Sequence, residues 1–283
     1  MTDARPFHYT EFAPDVAVSE VALTYWGFAV RALPYEGFMH RVWPDGCVSL
    51  VLIRALIEGT GRIVAARIIG PRVAPIETPI FAGACYWGVR FRPEAGAAWF
   101  GMSARTLRNA NVEVDWQLSG IEELRVSLAP YGATDDANGT VHVARIFDAW
   151  IDARTSALAS NSARIDAGVR DAVAAIVATD GLVPITRIAE LTGITMRSLQ
   201  RRFREATGLT PKEFATVRRG RALVKRVVGG ESQASEGGWS GLARVAGYAD
   251  QSHLVRELVR LTQFTPTALR RRLSAIDHGR ILD

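Results

Sequence analysis

The chain has 283 residues, 48% hydrophobic and 22% charged, with a formal net charge of +5, and that length suits two domains, each able to bury a core. Two cysteines, Cys47 and Cys85, could pair but suggest no disulfide framework and match no zinc spacing, so they read as reduced thiols. No apolar run approaches the ~18 residues of a membrane span, and the opening MTDARPFHYTEF lacks the apolar stretch of a signal peptide, so a cytoplasmic protein with no membrane partner is expected.

Residues 1–102 read mainly as strands and turns. Ala22 to Val30 (ALTYWGFAV) is a strand candidate with imperfect alternation. Pro44-Asp45-Gly46 is a turn, since proline presets φ and glycine supplies the reversed one. Cys47 to Ile53 is apolar enough to be buried on both faces. Ala65 to Ile69 leads to a turn at Gly70-Pro71, and Thr78 to Ala82 and Cys85 to Phe91 complete the set. Short strands with turns at this spacing predict an all-β barrel or sandwich.

The chemistry of this half is sparse. His8 and His40 are isolated, His142 falls beyond it, and no H-x-H pair occurs, so neither a metal nor another cofactor is expected. No G-x-S-x-G, Walker loop or dinucleotide fingerprint is present, and neither cysteine has a neighbouring base, so no enzyme is expected. Trp26, Trp43, Tyr86, Trp87 and Arg90 fall near the mouth expected of such a barrel. Rings and a guanidinium there could hold a small apolar or anionic effector. The competing reading makes the aromatics core and gives the arginine to a salt bridge.

Residues 103–158 turn helical. Ile121, Leu124 and Leu128, then Val143, Ile146, Phe147, Trp150 and Ile151, recur at spacings of three and four. A polar loop, Tyr131 to Thr140, separates them. Two amphipathic helices after a β-domain form either a dimer seam or a cap over it. Ser156 to Ser162 is small and polar and reads as a linker. A helix from Ala163 to Thr179 then opens the C-terminal domain, residues 163–283.

That domain carries the strongest signal. Residues 181–275 hold 17 Lys and Arg against 7 Asp and Glu, which leaves the remainder net acidic, so a polyanionic partner suits this part alone. In ITRIAELTGITMRSLQRRF (Ile185–Phe203) a short apolar helix ends at Gly193, which can take a positive φ in a tight turn. Thr195 can cap a second helix, whose Leu199 and Phe203 face inward and whose arginines lie off that stripe. Alone, the pair could be an ordinary amphipathic hairpin with a solvated basic face. The unit recurs, however, in WSGLARVAGYADQSHLVREL (Trp239–Leu258): Leu242-Ala243 match Ile188-Ala189, Gly247 matches Gly193, Leu254 matches Leu199, and Leu258 matches Phe203. Thr-Pro follows each copy, at Thr210-Pro211 and Thr265-Pro266, where proline favours the first turn of a helix.

IAELTGITMRSLQRRFREATGLTPKEF and LARVAGYADQSHLVRELVRLTQFTP resemble the two halves of an AraC/XylS-family DNA-binding domain, with G-Y-x-D-Q-S-H-L-x-R at Gly247 to Arg256 the most specific part. The resemblance implies a transcription regulator with two helix-turn-helix units on a rigid connector, here Pro211 to about Val228, and double-stranded DNA as partner. Leu258 departs from the aromatic residue usual there, and Gln263 from a glycine that Gly208 keeps in the first copy. Matching the motif, Arg197, Gln200, Arg201, Gln251, Ser252 and Arg256 are expected at base edges, with Ser198, Arg204 and His253 exposed beside them. Thr195, Arg202 and Arg218 are expected at phosphates, with packing against the connector as the other reading of Arg202. More loosely, WPDGCVSLVL (Trp43–Leu52), IIGPR (Ile68–Arg72) and GVRFRPEAGAAWFG (Gly88–Gly101) resemble a cupin-like domain attached to such readers in actinobacteria and proteobacteria, with Glu94 where glycine is usual. That likeness implies effector sensing or self-association, and by analogy the helices of 103–158 become a homodimer seam. The expected whole is an α+β multidomain protein: a β-barrel, cupin-like sensor, amphipathic helices, and an all-α domain with two helix-turn-helix units. A ligand-independent architectural DNA binder with a purely structural β-domain is the alternative.

Overall fold

A computed structural model describes residues 6–36, 38–116, 120–132, 137–159, 165–228, 238–274 and 276–278. Of the expected linker at 156–162, residues 156–159 instead continue a helix and 160–162 lie outside the described residues, as does most of the loop before Trp239.

The N-terminal half is built on a seven-stranded sheet. Its strands are β1 (Phe7–Phe12), β2 (Ala22–Val30), β4 (Ser49–Ile57), β5 (Thr60–Ile69), β7 (Cys85–Phe91), β8 (Asn111–Glu113) and β9 (Ile276–His278), in the order β8-β5-β4-β7-β2-β1-β9. Two further strands, β3 (Met39–Val42) and β6 (Ile76–Pro79), pair as a separate ribbon. All pairings are antiparallel except β1 with β9, where the C-terminal end of the chain returns to run parallel to its beginning.

The expected closed barrel is corrected here: the described sheet is open, with β8 at one edge and β9 at the other. Helices supply the layer that a barrel would supply from its own far wall. On β7, Cys85, Trp87, Val89 and Phe91 alternate onto one face, which packs with Tyr25, Leu50 and Leu52. That face is covered by α3 (Ile121–Leu128) and α4 (Ala137–Ala159) through Ile121, Leu124, Leu128, Val143, Phe147, Trp150 and Ile151. The Tyr25 hydroxyl donates to Asp148 Oδ1 at 2.7 Å, and Trp87 Nε1 donates to the Tyr131 carbonyl at 2.9 Å. The stripe expected at a dimer seam is therefore spent on the sheet, as a cap. Phe7, Phe28, Val30 and Tyr86 point the other way and pack with Phe38 and Ile80.

The C-terminal half has two small cores. Helices α5 (Ala167–Ala178), α6 (Ile185–Thr192) and α7 (Met196–Thr207) surround the first, built on Val169, Ile176, Ile188, Leu199 and Phe203. Helices α9 (Gly238–Val245), α10 (Gln251–Thr262) and α11 (Pro266–Ser274) surround the second, built on Leu242, Tyr248, Leu254, Leu258 and Leu269. The connector α8 (Pro211–Val228) enters both: Phe214 and Ala215 belong to the first core, Leu223 and Val227 to the second. One helix thus fixes the spacing of both units.

Two short helices, α1 (Gly96–Trp99) and α2 (Ala104–Leu107), join the halves by packing on α7. A Cβ on Gly70, just after β5, would overlap the Leu107 carbonyl, and one on Gly208 would overlap the Ala104 carbonyl. Beside this contact the Arg108 guanidinium bonds both oxygens of Glu213, at 2.8 and 3.0 Å. Glu213 also closes a capping box on α8: its Oε2 accepts from the Thr210 backbone N–H at 2.8 Å, and its own N–H donates to Thr210 Oγ1 at 3.2 Å.

Arg108→Ala should cost about 1–2 kcal/mol at neutral pH, measured by urea denaturation. The hydrogen bonds from Arg108 hold the Glu213 carboxyl down at about 2, from an ordinary 4.5. A depressed folded pKa means that the pair's contribution is complete above the unfolded value and fades as pH falls towards the folded one. Wild type and variant should therefore converge in stability between about pH 4.5 and about 2. Separately, Gln263 takes a left-handed φ of 60° at the end of α10, and Gln263→Gly should stabilise the fold by about 0.5–1 kcal/mol.

Candidate nucleic-acid interface

Both helix-turn-helix units form as the spacing predicts. Gly193 ends α6 with φ 65°, and Thr195 caps α7, its hydroxyl accepting from the Ser198 N–H at 3.3 Å. In the second unit Gly247 takes φ 72°, and the Asp250 carboxylate caps α10 by accepting from the His253 N–H at 2.7 Å. Leu199, Phe203, Leu254 and Leu258 are all fully buried, so the leucine at 258 fills the core place that an aromatic ring fills in the first unit.

The outer face of α7 carries Arg197, Gln200, Arg201 and Arg204, all exposed and spaced three and four apart. They line one groove of about 580 Å³. Arg201 rests 3.1 Å from Glu205, an exposed pair one turn along the same helix, and such pairs contribute little and break readily. Ser198 is half-buried and Thr195 is exposed at the cap. On α10, Gln251, Ser252 and Arg256 are exposed, and the Ser240 hydroxyl donates to Gln251 Oε1 at 3.4 Å. His253 is turned towards its own turn: Nδ1 accepts from the Ala249 N–H at 3.4 Å, and the ring lies edge-on to Tyr248.

Two residues expected at phosphates are engaged elsewhere. Arg202 donates from Nε to Asp166 Oδ2 at 2.7 Å, while Asp166 caps α5 by accepting from the Val169 N–H. The guanidinium thus ties the recognition helix to α5, which differs from both sequence readings of it. Arg218 is half-buried on the side of α8 that faces the β-domain, in a small cavity shared with Cys47 and Glu94, and its Nε has no partner there. Burial lowers its pKa, with the Arg221 charge adding to that effect.

Of the five effector candidates, Trp26, Tyr86 and Arg90 share one face of the sheet, and Trp87 and Trp43 lie elsewhere. Trp87 is in the sheet core under α3 and α4, whereas Tyr86 faces the opposite side. Trp43 packs against the second helix-turn-helix core, with its Nε1 buried and unpartnered. Trp26 stacks on Tyr9 at 6.3 Å between ring centroids. Arg90, on the Trp26 side of the sheet, is held between Glu11 at 3.0 Å and Asp45 at 2.7 Å. Burial opposes ionisation of Asp45, but Arg90 and the connector's Arg221 outweigh it and hold the carboxyl below its usual range. Cys47 is a buried thiol, pushed up to about 12 by burial and then by Asp45. Sequence reasoning missed Arg105 and Lys212, which line the groove beside α7; Arg105 sits in a segment without periodicity, and only the fold brings it there.

Arg202→Ala should behave as a structural substitution. A double-mutant cycle with Asp166→Asn should show coupling of about 1 kcal/mol or more, while the salt dependence of DNA binding should keep its wild-type slope.

A family model described as a domain of unknown function (DUF6597) matches residues 10–113, and one described as a helix-turn-helix domain matches residues 188–272. No curated protein matches the chain. Among solved structures, ToxT from Vibrio cholerae is similar at 10% identity and a TM-score of 0.43, covering 84% of this chain and 97% of that one. A ToxT structure with bound unsaturated fatty acid gives 9% and 0.43, covering 81% and 87%. The xylose-binding transcription activator xylR gives 12% and 0.33, covering 46% and 39%. Likenesses this loose say nothing of ligand or mechanism. The helix-turn-helix match, by contrast, contains both recognition helices and the connector between them, and with that arrangement the C-terminal domain is a helix-turn-helix DNA-binding domain of the AraC type.

Proposed function

We propose that the chain binds specific duplex sites by placing α7 and α10 in successive major-groove segments about one helical turn, ~34 Å, apart, and that a small-molecule effector acting on the β-domain adjusts this binding. The observation that carries the DNA reading is the outer face of α7, where Arg197 and Arg204 are exposed and without a carboxylate partner among the described residues. Arginine offers two donors to guanine, and Gln200 and Gln251 offer a matched pair to adenine. Arg256, exposed on α10 at the place that Arg201 holds on α7, offers the same donors.

The effector reading rests on continuity between the halves. Arg90 and Asp45 belong to the β-domain, and Asp45, which Arg90 holds at 2.7 Å, also lies within the charge of Arg221 on the connector. A molecule that resets Arg90 is therefore felt where the two readers are spaced. A homodimer belongs to the same reading, with a surface other than the buried α3 and α4 stripe as its contact.

Selection from random duplexes by the full chain should yield a defined site, bound about 10³-fold or more tighter than random competitor at physiological salt. A much smaller ratio favours the architectural binder. Arg197→Ala and Arg256→Ala should each cost about 1–3 kcal/mol and relax one base position; equal losses on every sequence would remove these residues from base readout. Thermal shift of the full chain against a metabolite library tests the effector, since a ligand of the folded state must raise its stability. Sedimentation with and without DNA tests the dimer.

A further inference from the structure

The groove beside α7 is not made by the DNA-binding domain alone. Its lining joins Arg197, Gln200, Arg201 and Arg204 with Lys212 of the connector and with Arg105 of α2. Arg105 lies in the segment matched by the domain of unknown function. It is exposed, and among the described residues it has no hydrogen bond or ion-pair partner. Its neighbours are fixed to the reader: Ala104 packs its carbonyl on Gly208, and Arg108 grips Glu213 with two hydrogen bonds. Leu107, between them, is fully buried. Arg105 is thus carried at a set position beside the recognition helix.

A helix seated in the major groove has a phosphate strand on either side of it, because the groove is only about 12 Å wide. An element that flanks such a helix faces one of those strands. Here the flanking element carries a cation, the connector's first turn carries another, and the groove's one carboxylate, Glu205, is already paired with Arg201. We propose that this groove seats one sugar-phosphate strand of the duplex and that Arg105 of the N-terminal domain contacts a phosphate there. The inference rests on the reading of α7 as a DNA-recognition helix. It gives the N-terminal domain a direct share in DNA binding, separate from any effector.

The test uses the full chain and the site obtained by selection. Arg105→Ala should weaken binding about three- to tenfold on the selected site and on random duplex alike, and lower the slope of log affinity against log salt by about 0.9. Arg105→Lys should stay within about twofold of wild type, since a phosphate contact needs the charge more than the fork. Phosphate-ethylation interference should lose one patch flanking the half-site read by α7, and selection should return the same bases. If wild type binds a defined site but Arg105→Ala keeps its affinity, salt slope and interference pattern, the Arg105 contact is wrong and the DNA reading stands. A loss confined to the selected site would place Arg105 at a base and overturn the backbone assignment. If wild type prefers no duplex over random competitor, both fall.

Discussion

The arrangement depends on a helix of four residues held between two glycines. Residues Ala104–Leu107 make a single turn, too short to be stable alone because nucleation costs more than one turn returns. It persists because its carbonyls sit against backbone on both sides, at Gly70 below the sheet and at Gly208 beside the reader. Any side chain at either position would hold the surfaces apart. Gly208 carries a second demand, since it ends α7 in the left-handed region at φ 74°, where other residues are strained. Turn chemistry and domain docking thus select the same residue. The Arg108–Glu213 pair then fixes direction, because a guanidinium bound to both carboxylate oxygens sets an angle as well as a distance.

The two copies of the reader diverge where one of them docks. The first keeps its glycine at 208 and a full capping box at Thr210 and Glu213. The second has Gln263 and Ala268 in the matching places, and only the Thr265 hydroxyl remains to accept the Ala268 N–H, at 3.4 Å. Its contacts with the β-domain are of a different kind: Trp43 packs on its core, Arg41 lies 4.7 Å from the centre of Phe264, Arg272 lies 4.8 Å from that of Phe38 and donates to the Met39 carbonyl at 3.4 Å, and β9, just after α11, pairs with β1. Cation–π contacts tolerate sliding that a backbone-to-glycine contact does not. Both units are therefore held to the β-domain, the first by backbone against Gly208 and the second by side chains and the β1–β9 pairing, and the connector is shared by both cores.

What the sequence made legible was local. β2 and β7 fall where their apolar runs lie, at Ala22–Val30 and Cys85–Phe91. The two helix-turn-helix units are readable because glycine, cap and inward leucine all lie within one turn of each other. What stayed hidden depends on pairing across the chain. The parallel partner of β1 comes from Ile276–His278, more than 260 residues away, and no periodicity announces it. An open sheet capped by helices uses the same short apolar strands as a barrel, so strand spacing alone did not separate them. The amphipathic stripe of α3 and α4 was legible, but not whether it covered this chain or a second copy. Arg202 looked like its neighbours in sequence, and only Asp166, 36 positions earlier, takes it out of the exposed set.

The recognition helix α7 shows the same inequality along its length. Its cations are equivalent in composition and unequal in freedom. On α7, Arg202 is committed to α5, Arg201 is loosely shared with Glu205, and Arg197 and Arg204 have no carboxylate partner among the described residues. The helical period separates these fates, since the inward row of Leu199, Phe203 and Thr207 leaves a structural flank on one side and a free face on the other. Because the same helix also ends on Gly208, where α2 docks, anything that shifts the β-domain against that glycine moves the free face as well. The docking contact of the β-domain and the free face of the reader thus lie within a dozen residues of one helix.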